Sequence, residues 1–91
     1  MMTTREIKAV LRGGPWAWPG GYPMAFLACD GEALSFDAVR ASWRDVCQVA
    51  RAGDKRDGWA LDSVFVNWED ADLICSHTGK PIESAYGEAA A

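Results

Sequence analysis

The sequence predicts an α+β domain: one amphipathic helix packed on a small, mostly antiparallel three-stranded sheet. Three observations point there. Residues 35–52 carry apolar side chains at helical spacing between a capping serine and a glycine. Residues 22–29 and 59–68 read as strands bounded by turn-forming residues. The chain has 91 residues, which allows one domain with a small core and no more.

The elements follow in order. Residues 4–12, TREIKAVLR, place Ile7, Val10 and Leu11 on one stripe, which predicts a short helix. Gly13 and Gly14 stop it. GGPWAWPGGYP (13–23) is then almost wholly glycine, proline and aromatic. Its prolines fix φ and remove donors, and its glycine pairs permit tight turns, so an irregular loop is expected. YPMAFLAC (22–29) is the first strand, closed by the turn DGE.

The helix over 35–52 has Ser35 as N-cap, Asp37 in its first turn and Gly53 at its end. Phe36, Val39, Trp43, Val46, Cys47 and Ala50 share an arc of about 100°, and that face must be buried. Arg40, Arg44 and Arg51 form a second arc beside it. DKRDG (54–58) is a polar turn. WALDSVFVNW (59–68) is the second strand and LIC (73–75) the third. Trp59 and Trp68 bracket the second strand and Trp43 lies on the helix face, so these three tryptophans are expected to be structural. Residues 1–91 thus make a single domain: a helix and loop over 1–21, a core over 22–84 and a frayed tail over 85–91.

Charge is unevenly placed. Residues 1–56 carry eight Lys/Arg against six Asp/Glu, and residues 57–91 carry one against seven. An acidic second half argues against general affinity for a phosphate backbone and for contact with a basic surface. No apolar run nears the ~20 residues that span a bilayer. The polar N-terminus lacks a signal-peptide core. With three cysteines in no framework spacing, a reducing, cytoplasmic location is expected.

Catalytic signatures are weak. Cys75 and the lone His77 could form a dyad, but no third group is evident to orient them. Glu69, Asp70 and Asp72 lack the spacing of a calcium loop. The Gly-rich stretch has prolines and tryptophans where phosphate-binding amides would have to converge. The chain is therefore expected not to be an enzyme and to need no cofactor. Zinc is the one ion the pattern allows. CSHTGKPI has the form of a zinc knuckle, C-x-x-C-G-x-x-I, with Thr78 at the second cysteine. Cys75, His77 and Cys29 are the candidate ligands, short of the four that a structural zinc takes. Cys47, on the buried helix face, reads as a core residue.

The binding candidates are clearer. A proline-stiffened loop loses little entropy on binding, and tryptophan is a strong interface anchor. Trp16 and Trp18 are thus either partner anchors or a cap over the small core. Arg40, Arg44 and Arg51 could grip an anionic partner, or simply lay their stems over the apolar face.

PWAWPGGYP, CDGEALSFDAVRASW, GW, VNWED and CSHTGKPIESAY together resemble a family of small proteins encoded by bacteriophages, prophages and related mobile elements. The resemblance spans residues 13–86. It implies cysteine pairs where this chain has Ser35 and Ala38, and Cys75 and Thr78, so the chain departs at three of those four positions. It also implies a class of role. Small acidic phage proteins often block a host machine, as anti-CRISPR proteins do by analogy. The expectation is a non-enzymatic inhibitor that sets Trp16, Trp18, Glu69, Asp70 and Asp72 against a host protein or protein–nucleic-acid complex. The alternative is a degenerate zinc-ribbon-like module that contacts nucleic acid through Arg40, Arg44 and Arg51.

Overall fold

The structure, a computed structural model, describes residues 1–14, 16–17, 22–68 and 72–82, with the backbone alone at 16–17. It has the expected α+β character. Helices α1 (Thr4–Gly13), α2 (Phe36–Ala41) and α3 (Trp43–Ala52) accompany strands β1 (Trp16–Ala17), β2 (Tyr22–Ala28), β3 (Ala33–Leu34) and β4 (Leu61–Val66).

Helix α1 begins with a reciprocal cap. Glu6 N donates to Thr3 Oγ1 at 3.1 Å, and Thr3 N donates to Glu6 Oε1 at 2.8 Å. Two of the orphan amides at the helix start are satisfied this way. The Thr3 hydrogen bonds, from its backbone first and its hydroxyl second, hold the Glu6 carboxyl below its ordinary pKa. Gly14, at φ 84, takes the chain out of the helix. Ile7 enters the core, and Val10 and Leu11 pack against it.

Strand β2 is the centre of the sheet, and every pairing is antiparallel. Trp16 and Ala17 oppose Pro23 and Tyr22 at its start. Leu34 and Ala33 oppose Phe26 and Leu27 near its end. β4 pairs along Met24–Ala28, with a register shift between Leu27 and Ala28. Since β3 and β4 both oppose Phe26 and Leu27, they lie on opposite sides of β2. A turn built on Gly31, at φ 89, joins β2 to β3; Glu32 N donates there to Asp30 Oδ1 at 3.0 Å.

The core gathers Ile7, Phe26, Leu34, Val39, Val46, Leu61 and Cys75, all essentially inaccessible to solvent. Phe26 of β2 meets Phe36 of α2 with ring centroids 4.7 Å apart, which fixes the helix on that face of the sheet. Ser35 caps α2 as expected, accepting from Ala38 N at 3.1 Å, and Gly53 ends α3 at φ 69. Polar turns need their own donors and acceptors. In the 54–58 turn, Asp54 accepts from Arg56 N and Asp57 accepts from Trp59 N.

Four elements differ from expectation, the first being Trp16–Ala17, a short strand paired with β2 inside the stretch expected to be an irregular loop. The helix over 35–52 is two helices, because Ser42 sits at φ −110, ψ 29, outside helical geometry. Nothing local marks the break, for there is no proline or glycine near it. Residues 73–75 do not form a sheet strand; Ile74 makes an isolated antiparallel bridge with Pro81. The third strand position is instead taken by β3, a two-residue stretch too short to carry a pattern. Among the described residues no helix is long and apolar enough to cross a membrane.

Candidate functional site

The first place of interest is the open end of the sheet. Met24 opposes Val66, and continuing that register by two residues sets Tyr22 opposite Trp68. Their rings meet with centroids 4.6 Å apart, tilted by 53°. Asn67 between them is buried, and its backbone N donates to Pro23 O at 2.9 Å while its Nδ2 donates to Ile82 O at 3.4 Å. These bonds hold the β4 terminus rigid up to Trp68. The indole is nevertheless 46% exposed, one of two large apolar side chains left so among the described residues, Ile74 being the other.

Trp68 was expected to be structural, and the structure corrects this. It lies past the last residue of β4, with the Tyr22 ring against it and its own surface still 46% exposed. Trp43 and Trp59 do pack against the core. β1 pairs with the same end of β2, bringing the Trp16 backbone beside Pro23. The side chain of Trp16, and Trp18, Glu69 and Asp70 altogether, lie outside the described residues. Asp72 is exposed.

The arginines do not form one stripe. Arg40 on α2 donates from Nη2 to Leu11 O at 2.7 Å and stands 3.8 Å from Asp37. It satisfies a carbonyl at the end of α1 and is a structural tie. Arg44 and Arg51 are exposed on α3, beyond the break at Ser42.

The second place is the turn over 75–80. Gly79, at φ 73, allows its N to donate to Cys75 O at 2.8 Å, and Cys75 N donates to Lys80 O at 2.9 Å. Ser76 N donates to Ala33 O at 2.9 Å, docking the turn beside β3. The Cys75 thiol is buried here and accepts from Ser35 N at 3.4 Å. Burial pushes its pKa up. Hydrogen bonds from the Thr78 hydroxyl, Ser35 N, Thr78 N and the Ser35 hydroxyl outweigh that and bring it from the ordinary 9.0 down to about 7. His77 points elsewhere, its ring 4.6 Å from Trp59. The suggested Cys75–His77 dyad is therefore not assembled.

Residues 35 and 75, forty apart in sequence, thus touch, and Thr78 and Ala38 complete the neighbourhood. A groove of about 350 Å³ opens here, lined by Ser35, Ala38, His77, Thr78 and Lys80 among others. His77 also lines a smaller groove of about 190 Å³ with Trp59 and Ser76. Cys29, the third suggested ligand, is half-buried at the end of β2, its N donating to Ala60 O at 2.7 Å. Among the described residues no three His, Cys, Asp or Glu side chains are grouped to share an ion.

The fold and these two places define a small α+β domain with an exposed aromatic pair and a buried, hydrogen-bonded thiol. No protein-family model, curated protein or solved structure matches the chain.

Proposed function

We propose that the protein is a non-enzymatic, phage-type binding protein that inhibits a host nucleic-acid-handling complex by covering its surface, in the manner of an anti-CRISPR. One observation carries this reading. Trp68 is held rigidly by the Asn67 hydrogen bonds and the Tyr22 ring, yet presents nearly half its surface to solvent. A pre-ordered indole loses little entropy on docking, which makes it an efficient anchor. The acidic residues Glu69, Asp70 and Asp72 follow it in the chain. Together they suit a basic surface that normally holds DNA or guide RNA, and the mechanism is steric and electrostatic occlusion.

The test is a target-DNA binding assay on purified guide-loaded effector complexes with and without the protein. Inhibition that weakens on Trp68→Ala, with folding intact by circular dichroism, supports the reading. Undiminished DNA binding across the effector types at saturating protein removes it.

The convergence of Ser35, Cys75 and Thr78 favours a second reading, a zinc-ribbon-like module whose ligands have been replaced by hydrogen-bonding residues. In that reading Arg44 and Arg51 contact nucleic acid, Arg40 being committed to α1. A mobility shift on duplex DNA at low salt, lost on Arg44→Ala/Arg51→Ala, separates it from the first.

A further inference from the structure

We propose that the two grooves meeting at His77 form one binding site for a nucleotide, with the base on the Trp59 side and a phosphate on the Lys80 side. This site is separate from Trp68 and does not rest on the function proposed above. His77 lines both grooves, of about 190 Å³ and about 350 Å³. Ser76 lines the smaller and Thr78 the larger, with His77 between them in the chain. Leu34 and Ser35 divide in the same way. The grooves therefore adjoin along these two segments. The smaller falls below the roughly 300 Å³ at which ligand sites begin, and a ligand that uses both does not.

The two sides offer different chemistry. In the smaller groove the Trp59 and His77 rings, 4.6 Å apart and tilted by 56°, stand with Leu34. A base stacks on such rings whatever its identity. The larger groove has Ala38, Ala41 and Pro81 as its apolar lining, with Lys80 beside them. Its two hydroxyls are committed. Ser35 accepts from Ala38 N and Thr78 from Lys80 N, and both also bond to Cys75. Asp37 is almost wholly exposed and stands 3.8 Å from Arg40, which offsets its charge.

Lys80 is the one Lys or Arg of residues 57–91. Among the described residues neither its ammonium nor the exposed His77 ring makes an ion pair or a hydrogen bond. A single uncommitted cation next to an aromatic wall complements a planar base joined to one phosphate, which lysine binds as a point charge. The turn that carries both groups is already fixed by the bonds from Cys75 N, Gly79 N and Ser76 N. Little order is then lost when a ligand docks.

Nuclear magnetic resonance titration of the labelled protein tests this with adenosine monophosphate, adenosine and inorganic phosphate. The monophosphate is expected to shift the Trp59 indole N–H and the His77 and Lys80 amides together. Adenosine is expected to bind about three- to tenfold more weakly. Lys80→Ala is expected to remove that difference and Lys80→Arg to keep it. Lys80 is exposed, so both variants are expected to fold, and their amide spectra check this. Absence of these shifts up to about 10 mM monophosphate overturns the proposal. So does equal binding of monophosphate and adenosine by the wild type, or the same shifts from inorganic phosphate alone. A pentadeoxyadenylate strand separates the two sources of such a ligand. Tighter binding of the strand assigns the site to single-stranded nucleic acid, and tighter binding of the monophosphate assigns it to free nucleotides.

Discussion

Trp68 and Tyr22 face one another across the end of the sheet with ring centroids 4.6 Å apart, and with this contact made the indole is still 46% exposed. The pair is therefore expected to add little to the stability of the fold. An aromatic pair adds about 0.5–1.5 kcal/mol beyond burial. Trp68→Ala is expected to cost about 1–2 kcal/mol in urea denaturation. Phe26→Ala, which removes a fully buried ring stacked on Phe36, is expected to cost about 3–5 kcal/mol. Equal losses would show that Trp68 is a core residue.

Arg40 gives a second prediction. Its guanidinium reaches from α2 to the Leu11 carbonyl, a charge-assisted bond between two helices that three strands separate in the sequence. Arg40→Ala is expected to destabilise by about 1–3 kcal/mol. Arg44→Ala and Arg51→Ala, exposed on α3, are expected to stay within about 0.5 kcal/mol. The contrast is read from three denaturation curves, and three equal shifts would remove the assigned tie.

How much of this was legible in the sequence depended on how local the signal was. Ser35, Gly53 and the Phe36–Val39–Val46 face were readable because caps and helical spacing lie within a few residues. The Thr3–Glu6 cap is equally local, a T-x-x-E before an apolar stripe. The break at Ser42 has no breaker residue to announce it. β3 is two residues long, and only its pairing with Phe26 and Leu27 makes it a strand. The exposure of Trp68 was not legible because residue type reports only a preference for burial, whereas exposure depends on tertiary packing. The Ser35–Cys75 contact spans forty residues, and spacing within CSHTGKPI could show only half of it.

The Cys75 thiol makes stability depend on pH, and the sign follows from its pKa. The folded value is lowered to about 7 from an ordinary 9.0, so between those values the unfolded chain holds more protons. Stability then rises with pH, by at most about 1.4 kcal/mol per unit. The contribution is complete above about pH 9 and lost as pH falls through about 7. Denaturation of wild type and Cys75→Ala from pH 6 to 9.5 measures it. The difference between the two is expected to widen as pH rises. A constant difference would mean that the thiol stays protonated throughout.

The same neighbourhood yields the last prediction. Ser35 N and Thr78 already direct their hydrogen bonds at the Cys75 sulfur, and Ala38 lines the same groove as Thr78. A metal-bound thiolate is stabilised by the same kind of amide donors. Ser35→Cys, Ala38→Cys and Thr78→Cys together would supply the three further sulfurs that a tetrahedral zinc site takes. The triple variant is expected to bind about one zinc per chain, measured by plasma mass spectrometry after dialysis, and to melt at higher temperature with zinc than with chelator. The wild type serves as the reference. Ala38 is the demanding position, because it is buried in the first turns of α2. Zinc uptake by the triple variant but not by Ser35→Cys/Thr78→Cys would show that α2 presents its fourth ligand from there. Failure of the triple variant to hold zinc while remaining folded would show that residues 35, 38, 75 and 78 are neighbours without sharing a centre.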